Sequence, residues 1–108
     1  MNRREFLKIS AGSAYVFYLT EALAQAAEAT GLNRADAERL ARATVVGAAE
    51  LMRQSPETPE TLRKNVTTPN GTTAAALAVL TDENSGFAPL MTKAVKAAEK
   101  RSKELATA

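Results

Sequence analysis

Apolar residues in this chain recur at three- and four-residue intervals, and no segment alternates convincingly with a period of two. That periodicity belongs to helices with one buried face, so the expected fold is all-α. Val16, Leu19, Leu23, Ala26 and Ala27 mark the first such face. Gly31 fits the position just past its end, where a left-handed backbone favours glycine. Leu32-Asn33 leads into a second helix, with Asn33 placed to cap it. There Leu40, Thr44, Ala48 and Leu51 form one stripe, leaving Arg34, Glu38, Arg42 and Arg53 to face elsewhere. Ser55-Pro56 stops that helix. Pro59 suits the first turn of a short helix covering Glu60 to Asn65. A fourth helix is expected over about Thr73 to Thr81, and Asp82 to Gly86 is a turn. Phe87, Leu90, Met91, Ala94, Val95, Ala98 and Leu105 mark a last long helix. The architecture expected is a domain of about five helices.

With 108 residues the chain makes one domain at most. Hydrophobic residues are abundant, but much of that total is alanine. The aromatics are Phe6, Tyr15, Phe17, Tyr18 and Phe87, with no tryptophan. Alanine faces let helices approach closely yet remove little apolar area per residue, so a partner subunit is expected to complete the core. The net charge of +2 is too small to argue for nucleic acid, and no basic stripe is interleaved with aromatics. Lys93, Lys96, Lys100, Arg101 and Lys103 cluster near the end, but Glu99 and Glu104 sit among them. Glu99 and Lys103 are spaced to pair on one helix face. The absence of cysteine and histidine removes disulfides, thiol nucleophiles, histidine triads and the usual zinc sites. Acid or base work would fall to carboxylates, lysine, tyrosine or hydroxyls.

The first residues, Asn2-Arg3-Arg4-Glu5-Phe6-Leu7-Lys8, are written in the style of a twin-arginine export signal. An uncharged stretch from Ile9 to Thr20 follows, and Ala22-Leu23-Ala24 could pass for a cleavage site. Glu21 sits badly for that reading. The stretch is also too short to span a membrane as a helix. Export would remove Met1 to about Ala24, and with them the first helix face.

Val66 to Ala76 reads Val-Thr-Thr-Pro-Asn-Gly-Thr-Thr-Ala-Ala-Ala. Hydroxyls, a proline and a glycine stand directly ahead of an alanine run. Thr72 or a neighbour can cap the helix that follows. The remaining first-turn N–H groups lack intrahelical partners, and the helix dipole adds partial positive charge there. Such a terminus suits a carboxylate or phosphate. Gly71 permits close approach to the backbone, and Pro69 stiffens the turn. An ordinary capped turn has the same ingredients, so these residues alone leave both readings open.

The order of several segments resolves this. They are Gly12-Ser13-Ala14-Tyr15-Val16-Phe17, Glu21-Ala22-Leu23-Ala24, Gly31-Leu32 and Val46-Gly47-Ala48-Ala49. Leu62-Arg63-Lys64-Asn65-Val66 leads into Thr67-Thr68-Pro69-Asn70-Gly71-Thr72-Thr73, and Gly86-Phe87 and Ala97 to Leu105 close the series. From about residue 11 onward the chain resembles the C-terminal dimerisation domain of pyrroline-5-carboxylate reductase. Residues 11–108 are accordingly expected to form that domain, and 1–10 an atypical N-terminal segment.

The resemblance implies a substrate-binding and dimerisation domain of an enzyme that reduces 1-pyrroline-5-carboxylate to L-proline with NADPH or NADH. It implies a homodimer or higher oligomer of intertwined helices, with the substrate loop at the dimer interface. It implies that the Thr68 hydroxyl and the N–H groups of Gly71 and Thr72 hold the substrate carboxylate. The Thr73 hydroxyl would bond the ring nitrogen as that atom gains electron density, an electrostatic form of catalysis. The family's nucleotide-binding half is not matched, since nothing in these residues reads Gly-x-Gly-x-x-Gly. Alone, the chain is expected to be inactive, to need a Rossmann-domain partner and to stay in the cytoplasm. No cofactor-binding or metal-binding residue is expected within it, and no membrane or nucleic-acid partner.

Two smaller departures bear on the site. The family usually has Pro-Gly-Gly where this chain has Pro69-Asn70-Gly71, which adds bulk beside the pocket. Its Gly-Pro-Ala-Tyr is here Gly12-Ser13-Ala14-Tyr15. A non-catalytic helical oligomerisation protein and an exported helical protein are the competing readings.

Overall fold

The computed structural model describes residues 3–107, with side chains described from residue 11 onward. Five helices follow in order: α1 Arg3–Ala29, α2 Arg34–Gln54, α3 Pro59–Asn65, α4 Thr72–Leu80 and α5 Phe87–Thr107. Among the described residues there is no strand. The chain divides into two units, Met1–Thr58 and Pro59–Ala108. The backbone of residues 3–10 belongs to α1. The twin-arginine reading rests on side chains outside the described residues.

In the first unit the α1–α2 hairpin is built by local chemistry at its turn. Gly31 takes φ +113°, a left-handed backbone that glycine adopts without penalty. Its N–H donates to Glu28 O at 3.0 Å and the Leu32 N–H to Ala27 O at 3.3 Å, so the last carbonyls of α1 are satisfied. Asn33 then caps α2, its side-chain oxygen accepting from the Asp36 N–H at 2.9 Å. Ser55, extended ahead of Pro56, ends α2 with its N–H on Leu51 O.

The face joining the two helices is narrower than the sequence implies. Among the described residues Ala24, Ala37 and Ala41 are the buried apolar ones, with Ala27 packed against them. Three methyl groups let the helix backbones approach closely, and that approach leaves the larger side chains on the flanks. The Leu40-to-Leu51 stripe therefore flanks the buried seam and is not its centre: Leu40 is 52% exposed and Leu51 56%. On α1, Val16, Leu19 and Leu23 are also exposed, and Phe17 reaches 72%.

The second unit holds two short helices, α3 and α4, followed by the long α5. Thr67 closes α3: its hydroxyl donates to Arg63 O at 2.6 Å and its N–H to Lys64 O at 3.2 Å. After α4, Asp82 organises the turn into α5. Its Oδ1 accepts from the N–H groups of Asn84 at 2.9 Å and Ser85 at 2.8 Å, and from the Ser85 hydroxyl at 3.0 Å. Those donors, led by the Ser85 N–H, hold the Asp82 carboxyl below its ordinary value. Gly86 is buried inside this turn, its N–H on Asp82 O at 2.9 Å. On α5 the expected Glu99–Lys103 pair is present at 3.2 Å. No helix of the described residues is long and apolar enough to cross a membrane.

Candidate functional site

The loop from Thr67 to Gly71 joins α3 to α4 and is built around one tight turn. The Gly71 N–H donates to Thr68 O at 3.1 Å, closing a four-residue turn with Pro69 and Asn70 at its centre. Proline fixes a negative φ at the first central position. Asn70 stands at φ +62°, and that combination defines a type II turn. Asparagine is one of the few side-chain-bearing residues that tolerate this backbone. Gly71 itself has an ordinary φ of −90°. Its lack of a side chain matters for space, because a Cβ there would lie 3.2 Å from Thr68 O.

α4 starts at Thr72, within the expected start at about Thr73. The neighbour of Thr72, Gly71, occupies the cap position, so no hydroxyl caps the helix. The Ala75 N–H reaches Gly71 O at 3.2 Å. The N–H groups of Thr72, Thr73 and Ala74 are thereby left without intrahelical acceptors. No acidic residue sits in this first turn. The terminus therefore keeps its donors and its partial positive charge available to a carboxylate.

The threonines of the loop divide by the work of their hydroxyls. Thr67 is consumed by Arg63 O. Thr68, Thr72 and Thr73 are exposed. The turn also sets a condition on the expected carboxylate donors. Gly71 contributes its N–H to a ligand only by sharing or releasing the bond to Thr68. Neighbouring Thr72 carries no such restriction. Among the described residues no three His, Cys, Asp or Glu side chains gather into a group that could hold a metal ion. A dinucleotide also finds no fit: its pyrophosphate sits on a glycine-rich turn between a strand and a helix. The described residues have no strand to place one.

The model of the family described as pyrroline-5-carboxylate reductase dimerisation matches residues 7–105. This chain belongs to that family. A pyrroline-5-carboxylate reductase of a Synechocystis species is 47% identical over 94 residues, covering 87% of this chain and 34% of the relative. One from Pseudomonas aeruginosa is 44% identical over 95 residues, again covering 34% of the relative. The chain thus spans about a third of the length of the curated relatives it matches. Among solved structures, a pyrroline-5-carboxylate reductase from Coxiella burnetii has a TM-score of 0.82 and 40% identity, covering 97% of this chain and 40% of that one. The Plasmodium falciparum pyrroline carboxylate reductase, solved with NADP bound, has a TM-score of 0.80 and 34% identity over 88% of this chain and 36% of that one. The all-helical architecture read from the sequence agrees with these neighbours.

Membership in a dimerisation family gives a physical reading of the first unit. An open groove of about 740 Å³ runs between α1 and α2. Val16, Phe17, Val45 and Val46 line one end, and Glu28, Arg34 and Glu38 the other.

Proposed function

We propose that this chain supplies the substrate loop and the subunit interface of a pyrroline-5-carboxylate reductase. Reduction of the C=N bond of 1-pyrroline-5-carboxylate to L-proline then depends on NADPH or NADH held by a nucleotide-binding domain outside these residues. The observation that carries this reading is the α4 terminus, where unpaired N–H groups stand beside the hydroxyls of Thr68, Thr72 and Thr73. The Thr68 hydroxyl and the N–H groups of Gly71 and Thr72 hold the substrate carboxylate. The Thr73 hydroxyl donates to the ring nitrogen, whose basicity rises as the imine carbon is reduced. A donor aimed at developing charge stabilises the transition state more than the ground state.

Homodimer formation is supported by the large apolar side chains left exposed on the first unit, Val16, Phe17, Leu19, Leu40 and Val46 among them, because an obligate interface is built from such side chains. A cytoplasmic location, shared with the nucleotide-binding partner, completes the reading.

The test is a fusion of this chain to a compatible nucleotide-binding domain, assayed with 1-pyrroline-5-carboxylate. The unfused chain should show no turnover with either nicotinamide cofactor. In the fusion, Thr73→Val should lower kcat about ten- to a hundred-fold, the value of a lost bond of about 1–3 kcal/mol. Thr68→Val should raise KM with little change in kcat, because the carboxylate changes little during reduction. Turnover by the unfused chain would refute the division of labour proposed. A second reading, a non-catalytic oligomerisation protein, draws on the bulk that Asn70 adds to the loop. A folded, dimeric fusion that stays dead after Asn70→Gly would favour it.

A further inference from the structure

We propose that the Asn70–Gly71 peptide is a site of spontaneous deamidation, gated by the turn bond from Gly71 to Thr68. We infer further that the negative charge it creates weakens binding of an anionic ligand at the start of α4. The first statement stands on the turn alone, and the second rests on the substrate-loop reading.

The reaction needs a backbone nitrogen to reach the preceding carboxamide. The Gly71 nitrogen attacks Asn70 Cγ, the N–Cγ bond forms, and the Cγ–Nδ2 bond breaks. Ammonia leaves with the proton that Gly71 gives up. Water then opens the cyclic imide at either carbonyl, giving an aspartyl or an isoaspartyl residue, with no change in oxidation state. Three conditions favour it: an unhindered following residue, a free carboxamide, and an N–H that can be released.

Asn70 meets the first two and needs one turn bond released for the third. The next residue has no Cβ to shield its nitrogen. Asn70 is exposed, and no backbone or side-chain bond described for the loop engages its carboxamide. The one restraint is the bond from the Gly71 N–H to Thr68 O, 3.1 Å long, on an exposed loop. The other described asparagines fail on at least one count. Asn33 is held at both ends of its amide, accepting from the Asp36 N–H and donating to Asp36 Oδ2 at 3.0 Å. Asn65 ends α3 and precedes β-branched Val66. After Asn84, Ser85 carries a side chain, and its N–H is tied to the charged Asp82 Oδ1 at 2.8 Å, a shorter bond than the one Gly71 makes.

The consequence follows from place. A charge at residue 70 lies just ahead of the unpaired N–H groups of Thr72, Thr73 and Ala74. The helix dipole favours it there, and it repels an incoming carboxylate. The isoaspartyl product also lengthens the main chain within the turn that positions Thr68.

The test ages the purified chain at mildly alkaline pH and follows each asparagine by peptide mapping and isoaspartyl labelling. Asn70 should convert ahead of Asn33, Asn65 and Asn84 in the folded protein. Urea unfolding should speed its conversion about tenfold, the factor that one released hydrogen bond confers. Asn70→Gly should abolish the signal from that peptide. Equal or faster conversion at Asn84, or none at Asn70 in the folded chain, overturns the deamidation site. In the fusion enzyme, Asn70→Asp should raise KM several-fold while Asn70→Gly does not. An unchanged KM in the Asn70→Asp fusion overturns the charge effect. A folded, dimeric fusion that is inactive with the native loop and stays inactive after Asn70→Gly overturns the substrate-loop reading and the charge effect with it, while the mapping result is untouched.

Discussion

Gly86→Ala should destabilise the second unit, and the reason is geometric. A Cβ at this position would lie 2.5 Å from the Asp82 carbonyl oxygen and 2.8 Å from the Asp82 nitrogen, with Leu80 O closer still. All three neighbours are backbone atoms, so no rotamer change relieves the overlap. The turn must open. Opening releases the Gly86 N–H from Asp82 O and disturbs the bonds that Asn84 and Ser85 give to Asp82 Oδ1. Bonds of this kind contribute about 0.5–1.5 kcal/mol each, so losing two costs about 1–3 kcal/mol. Alanine restrains the unfolded chain and offsets about 0.4–1 kcal/mol of that. The net loss expected is about 1–2 kcal/mol. Urea unfolding followed by circular dichroism, at one fixed protein concentration, measures it. Asp82→Ala should cost a similar amount, and the double variant should cost clearly less than the sum, because both act through one turn. A Gly86→Ala protein as stable as the parent, or strictly additive effects, would refute the account of the turn.

Three further outcomes are expected. Asn33→Ala should cost about 1 kcal/mol by removing the cap on α2, read as a lower urea midpoint. Acid should weaken the fold through Asp82, whose folded pKa is lowered: its contribution is complete above the unfolded value of about 4 and is lost as pH falls through the folded one. Glu50, lowered by its bonds from Arg53 and Gln54, and Glu60, lowered by Lys64, act in the same direction. An Asp82→Asn protein should therefore show a shallower acid transition in a pH titration of ellipticity. Finally, thermal stability should rise with protein concentration, since a partner that binds only folded chains stabilises by mass action. A concentration-independent melting point, together with a monomer in sedimentation, would exclude the dimer.

What could be read from the sequence was local. Gly31, Asn33, Ser55-Pro56 and Pro59 each act through their own backbone or through a partner within four residues, and each stands where its chemistry put it. The loop before α4 was legible as a turn for the same reason. Its hydroxyls were not separable by type: Thr67 and Thr68 are the same residue, and only the position of the Arg63 carbonyl consumes one of them. That Gly71 and not a hydroxyl caps α4 has a related cause, because the turn bond of Gly71 decides where helical backbone begins. The burial pattern was the least legible. Periodicity identifies an apolar stripe but not what covers it. On α2 the alanines at 37 and 41 are buried against α1, and the leucines at 40 and 51 stay exposed.

That alanine contact shapes how the molecule must assemble. The α1–α2 hairpin has short loops and self-contained caps, so it forms early, as a first-order event within one chain. Among the described residues its own buried core is three methyl groups, and most of its large apolar side chains are exposed. In the proposed dimer the step that covers them is bimolecular, and its half-time lengthens as the chain is diluted. Refolding should therefore show a fast helical phase independent of concentration and a slower one proportional to it. Between the two phases the half-made protein is a target for proteases and for aggregation, so the rate at which copies meet, not the rate at which helices form, governs how much survives.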